Sequence, residues 1–143
     1  MDFKKIAIIT GGSKGIGAAL VRTYVKHGFS VFSLSRTAAH PHPAVTSLLV
    51  DLSDPTDALN ALNPLLERIS RLELSEIVFI NNAGSLGDVA PIEKNTPESI
   101  QKTIALNITT PICLSSSFVK KLKDCKTSKR ILNISSGAAK EPY

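Results

Sequence analysis

Five short runs, KIAIIT, FSVFSLS, TSLLVDL, EIVFINN and RILNIS, recur along the chain, and longer segments with helical spacing separate most of them. Several are almost continuous in Ile, Val, Leu and Phe instead of alternating with polar residues, which suits strands covered on both faces. Strand and helix therefore alternate. That order predicts an α/β fold, a doubly wound parallel sheet of five strands with right-handed crossovers that place helices on both faces. In such sheets ligands bind at the carboxyl ends of the strands, where the strand order reverses.

The linking segments carry their own start and stop signals. In the first, Ile16, Ala19, Leu20 and Thr23 share a helical face and Gly28 supplies the stop. TAAHPHPAVT, between the second and third runs, has poor helix propensity and reads as a loop. Asp54 followed by Pro55 opens a helix with Leu59, Leu62, Leu66 and Ile69 on one face, and Pro64 is expected to kink or split it. Thr96 followed by Pro97 opens another helical stretch, which reaches about Lys123 and is interrupted near Asn107 and Pro111. A length of 143 residues fits a single domain, residues 1–143.

Composition narrows the functions. Apolar residues at 43% and charged residues at 20% describe an ordinary soluble protein, and no stretch approaches the roughly 20 apolar residues of a membrane span. The apolar run after the first lysines is too short for a signal peptide, so a cytoplasmic location is expected. Cys113 and Cys125 then read as free thiols, and the sequons at Asn107 and Asn133 as accidental. Much of the net charge of +5 lies in KKLKDCKTSKR, which has no interleaved aromatic residues for stacking bases, so no nucleic-acid partner is expected. His40 and His42 sit among prolines with no third ligand nearby, so no metal site is expected.

The chemistry concentrates in TGGSKGIG, which follows the first strand and opens the first helix. Glycines there allow a tight turn and let a pyrophosphate approach the backbone at the helix N-terminus. The spacing of Gly11, Gly15 and Gly17, together with NNAG at residues 81–84, resembles the short-chain dehydrogenase/reductase family, whose glycine motif is T-G-x-x-x-G-x-G. Asp51 and Leu52 match that family's adenine-contacting pair, Asn107 its helix asparagine, and NISS the strand before its catalytic tyrosine. Within the family, INNAGSLGD and ALNITTPICLSSS resemble the sepiapterin reductase branch, and SGAAKEPY resembles the benzil reductases.

The resemblance implies a Rossmann-like domain that binds NADP(H) and an NADPH-dependent oxidoreductase reducing a ketone or dicarbonyl small molecule. Cofactor-binding residues would be Gly11, Gly12, Ser13, Lys14, Gly15, Ile16 and Gly17 in the glycine turn. Arg36 and Thr37 would follow the second strand, Asp51 and Leu52 the third, and Asn82, Ala83 and Gly84 the fourth. NADPH is expected over NADH because Ser35 and Arg36 stand where an NAD enzyme carries an acid, and Lys14 adds a second cation. The catalytic residues carried over are Ser136, as hydrogen-bond donor to the substrate oxygen, and Asn107, as the residue that holds a water of the proton relay.

The family's catalytic tyrosine stands nearly twice as far beyond the serine as Tyr143 stands beyond Ser136, with a lysine four residues further on. Tyr143 is therefore not that tyrosine, and it is expected to line the substrate cleft. The chain reads as the N-terminal portion of the family fold, ending before Tyr-x-x-x-Lys, inactive by itself and homo-oligomeric when complete. The alternative is a catalytically inactive dinucleotide-binding module or a nonfunctional truncated remnant.

Overall fold

The structure, a computed structural model, describes residues 4–137 and Lys140; Tyr143 lies outside the described residues. Five parallel strands, β1 (Lys5–Thr10), β2 (Ser30–Ser35), β3 (Val45–Leu49), β4 (Glu76–Asn81) and β5 (Ser128–Asn133), form one sheet in the order β3-β2-β1-β4-β5. The chain builds outward from β1 to β3 and then returns to the other side of β1 with β4. The switch in strand order therefore falls between β1 and β4, as the doubly wound pattern requires.

Period-two alternation explains why the central strands are apolar at nearly every position. Ile6 and Ile8 of β1, with Phe32, Leu34, Ile77 and Phe79 of its neighbours, point to one side. There they meet Leu62, Leu66 and Ile69 of α2 (Pro55–Ile69) and Leu114, Phe118 and Leu122 of α4 (Thr110–Leu122). Ala7, Ile9, Val31, Val78 and Ile80 point the other way, onto Val21, Leu20 and Tyr24 of α1 (Gly15–Lys26). Phe79 and Phe118 stack with centroids 5.5 Å apart, and Lys121 pairs with Glu67 at 2.5 Å between α4 and α2.

Two expectations are corrected. Ile16, Ala19 and Thr23 of α1 are exposed, Ile16 at 64%, and the buried stripe is Gly17 and Val21. The helix is turned by the contact of Gly17 with the β1 turn, where a Cβ would stand 2.0 Å from the Gly11 carbonyl oxygen. Pro64 does not split α2, which runs unbroken from Pro55 to Ile69. The lost backbone bond is offset by burial of Leu62, Leu65, Leu66 and Ile69 around it. The loop between β2 and β3 has no helix, as predicted, and both cysteines are free. Among the described residues no helix is long and apolar enough to cross a membrane.

The interruption near Asn107 is real. α3 (Pro97–Ile104) passes into a π-helical turn at Ala105–Thr109 before α4 begins. Pro111 has no N–H to give to the carbonyl of Asn107 four residues earlier, so the α ladder cannot continue there. Thr110 N instead bonds to Ala105 O, five residues back.

Candidate functional site

A cleft of about 880 Å³ opens where the carboxyl ends of β1, β2, β3 and β4 meet α1 and α3. Its volume lies in the ordinary range for small-molecule sites. The β1 end forms its floor. Gly11 has φ +70°, and a Cβ on it would press within 3.0 Å of the Ala83 Cα, so the turn after β1 is packed directly on the NNAG segment. Thr10 Oγ1 accepts from the backbone N–H groups of Asn82 (2.9 Å) and Ala83 (3.1 Å). The Asn82 amide returns the contact, donating to Thr10 O at 3.0 Å and Gly11 O at 3.3 Å. Asn82 thus lines the cleft with its amide hydrogens already committed to holding β1 against β4.

Asn81 braces the same strand end from the other side. Its amide donates to Ser115 Oγ at 3.0 Å and Asn133 Oδ1 at 2.8 Å, which joins β4 to α4 and β5. Gly12 lies outside the cleft: its α-carbon faces the interior, where a Cβ would meet Ser33 Oγ at 2.4 Å. Its role is packing under the turn.

The start of α1 tests whether a dinucleotide fits. α2 and α3 cap themselves, since Asp54 accepts from Thr56 N and Asp57 N and Thr96 accepts from Ser99 N. α1 does not: Lys14 at its N-cap makes no capping bond, and no acid stands in the first turn. Its first amide groups are left without side-chain partners beside the glycines that admit a close approach, a fit for the pyrophosphate of a nicotinamide dinucleotide.

Charge is distributed unevenly around the cleft. Among the described residues Lys14, Arg36 and Lys102 line it, against the single carboxylate of Asp51. Asp51 Oδ1 accepts from Ser53 N at 3.0 Å and Ser53 Oγ at 2.8 Å. Those two bonds, the backbone one first, hold its carboxyl below the usual range, with smaller help from the charges of Arg36 and Lys102. Ser13, Gly15, Ile16, Gly17, Thr37, Leu52, Ala83 and Gly84 also line the cleft, so the glycine turn and the segments after β2, β3 and β4 meet at it. The sequence reading missed Ser85, Lys102, Thr103 and Leu106. Helical spacing from Asn107 offered the signal, because Thr103 stands one turn before it.

Asn107 is placed beside the cleft and not in its lining. Its Oδ1 accepts from Ser85 N at 2.9 Å and its Nδ2 donates to Ser85 O at 2.7 Å. This reciprocal pair clamps the segment after β4 to the π turn. The same segment crosses α3 at Gly87, where φ is +71° and a Cβ would stand 2.6 Å from Thr103 Oγ1. Ser136 lies beyond β5, exposed and outside the cleft lining, on a segment tied to β4 by Ile134 N donating to Asn81 O at 2.9 Å.

Of the two tyrosines, Tyr24 packs edge-on against Phe29 with centroids 4.9 Å apart, away from the cleft. Burial, then Glu76, pushes its phenol above the usual value, opposite to what a proton donor working near neutrality needs.

The family signature named short chain dehydrogenase matches residues 5–143. The chain belongs to the short-chain dehydrogenase family. This family member is 35% identical to the benzil reductase ((S)-benzoin forming) of Bacillus subtilis (strain 168) over 140 residues, covering 97% of the chain and 58% of that protein. It is 28% identical to the sepiapterin reductase of Xenopus laevis, covering 96% of the chain and 59% of that protein. The chain thus spans about six-tenths of the length of these curated relatives. A short-chain dehydrogenase/reductase from Burkholderia vietnamiensis superposes with a TM-score of 0.89 at 27% identity, over 100% of this chain and 68% of that one. A metagenomic short-chain oxidoreductase in complex with NADP superposes at 0.83 with 27% identity, over 99% and 66%. A 4-hydroxyisoleucine dehydrogenase complexed with NADH shares the fold at 0.82 with 24% identity, over 97% and 59%. Of these two neighbours, one is thus seen with NADP and the other with NADH.

Proposed function

We propose that this chain is the cofactor-holding part of an NADPH-dependent oxidoreductase that reduces a ketone or dicarbonyl small molecule. The observation that carries the choice of NADPH is Arg36 in the cleft wall directly after β2, with Ser35 before it and no acid in that segment. The similarity to benzil and sepiapterin reductases supports the substrate class.

When bound, the nicotinamide supplies hydride to a carbonyl carbon. The chain's own residues prepare that step. The uncapped amides of α1 bind the pyrophosphate, and Arg36 with Lys14 holds the phosphate on the adenosine ribose. Asp51, held ionised by Ser53, would face the adenine together with Leu52. Ser136 would donate to the substrate oxygen, and the Asn107–Ser85 pair holds the segment after β4 at the cleft. Tyr24 is not the proton donor for that oxygen, since it lies outside the cleft and Gly28, not a lysine, stands four residues after it.

The test compares binding of NADPH and NADH to wild type and to Arg36→Ala. A charge-assisted hydrogen bond contributes about 1.5–3 kcal/mol, so Arg36→Ala is expected to weaken NADPH binding roughly ten- to a hundredfold and NADH binding little. Equal affinity of wild type for the two cofactors would sink the NADPH reading.

A further inference from the structure

The cleft holds one cation that neither the glycine turn nor the segment after β2 supplies. Lys102 lines it from the last turn of α3, one position from Thr103 and one turn before Leu106, which line it as well. A lysine in a helix's last turn ordinarily offsets the negative end of the helix dipole. That account does not apply here. α3 continues without a gap through the π turn into α4, so the dipole does not terminate beside Lys102. Nor is the lysine engaged in an ion pair: those found among the described residues join Lys121 to Glu67 and Arg130 to Glu76.

Its surroundings give it a definite position along the cleft. Among the described residues Asp51 is the only acid in the lining, and its Oδ1 is taken up by Ser53. After those two hydrogen bonds, the charges of Arg36 and then Lys102 act on the Asp51 carboxylate. Lys102 and Arg36 therefore share the end of the cleft that Asp51 marks, and two cations against one acid leave a positive excess there. In a concave, partly desolvated cleft such an excess is focused toward an anionic ligand.

We propose that Lys102 is a cofactor-binding residue at the adenosine end of the cleft, a second determinant, supplied by α3, of preference for a nucleotide phosphorylated on its adenosine ribose. The proposal rests on the NADPH reading above and extends it to a part of the chain that the glycine motif does not reach. A ribose phosphate adds about 1.5–2 negative charges near neutral pH, and each cation within reach adds to its retention. Arg36 directly follows the buried strand β2 and is itself exposed. Lys102 is exposed on a helix, so its share acts through the field and is screened by salt.

The experiment measures binding of two probes, adenosine 2′,5′-bisphosphate and 5′-AMP, which differ only in the ribose phosphate, to the 143-residue chain carried on a soluble fusion partner. Lys102→Met is expected to weaken the bisphosphate about three- to fivefold and 5′-AMP less than about twofold, as suits a partly exposed charge pair. Lys102→Arg should stay within about twofold of wild type, and the deficit of Lys102→Met should shrink in roughly 0.5 M salt. Circular dichroism on each variant confirms the fold. If Lys102→Met binds the bisphosphate like wild type while Arg36→Ala does not, Lys102 has no such role and the NADPH reading stands. Equal weakening of both probes also overturns the proposal, because the ribose phosphate is then not what Lys102 senses. If neither variant changes bisphosphate binding, or the wild-type chain binds neither probe, the NADPH reading fails and this inference fails with it.

Discussion

Gly15 and Gly17 stand two positions apart in one turn and are glycine for different reasons. Gly15 has φ +55° with nothing within 4 Å of a prospective Cβ, so alanine there meets only the backbone penalty of about 1–2 kcal/mol. At Gly17 a Cβ would collide with the Gly11 carbonyl oxygen at 2.0 Å, a backbone atom at the floor of the cleft. Gly17→Ala must push α1 off β1, and overpacking of that kind costs typically about 1–3 kcal/mol or more. Thermal unfolding at low protein concentration should therefore show Gly17→Ala the less stable variant, and only it should also lose nucleotide affinity by displacing the helix start. Asp51 makes a second prediction. Its folded value is depressed, by the Ser53 backbone bond first, so its ionised form favours the folded state above the unfolded carboxyl range. That contribution is lost as pH falls through the folded value. The stability gap between wild type and Asp51→Asn should be constant above about pH 5 and shrink below about pH 4, as read from urea midpoints across that window. A gap independent of pH would show that Ser53 does not favour the charged form.

Among the elements, the π turn has the most specific task. Its Asn107 uses both ends of its amide on the backbone of Ser85, a bond that the spacing of the sequence did not reveal. Asn107→Ala should leave α3 and α4 folded and release the segment from Gly84 to Gly87. Losing hydrogen bonds with a net value of about 0.5–1.5 kcal/mol each should raise amide exchange at Ser85 about tenfold or more, with the α2 amides unchanged. Unchanged exchange at Ser85 would mean that the segment is held by the Gly87 crossing alone. What could be read in advance follows from how local its cause is. The strands of the sheet, the caps at Asp54 and Thr96 and the break at Pro111 depend on neighbours within a turn of the chain. The rotation of α1 depends on Gly17 meeting Gly11 across a tertiary contact, and hydropathy spacing pointed to the wrong face. Lys102, Thr103 and Leu106 were likewise missed, because only packing of α3 beside the β3 turn brings them to the cleft. Pro64 misled in the opposite sense, its local effect outweighed by the core around α2.

At the level of the whole molecule, one side of α3, the π turn and α4 is unexpectedly apolar. Ile100, Ile104, Ile108 and Ile112 recur every four residues and are exposed, and Leu132 and Ile134 are exposed at the β5 edge of the sheet. An open edge beside such a stripe favours association, so the unfused 143-residue chain should aggregate as its concentration rises. It should also lack measurable NADPH oxidation with a dicarbonyl, because positioned acid catalysis contributes typically about 10²–10⁴-fold and Tyr24 lies outside the cleft. A soluble monomer that turns over, and stops doing so in Tyr143→Phe, would show that Tyr143 supplies the proton. The fastening of Asn82 onto Thr10 bears as well on how the molecule comes into being. The two residues are 72 apart in the chain, and β1 lies between β2, made early, and β4, made late. A nascent chain carrying β1 to β3 already contains the whole glycine turn and its bond from Gly11 N to Leu34 O, but not the Asn82 amide contacts with Thr10 O and Gly11 O. Closing so long a loop is a slow step, and the dinucleotide can assist only after it. Added nucleotide is therefore expected to slow unfolding of the finished molecule without speeding its refolding, as stopped-flow kinetics would read.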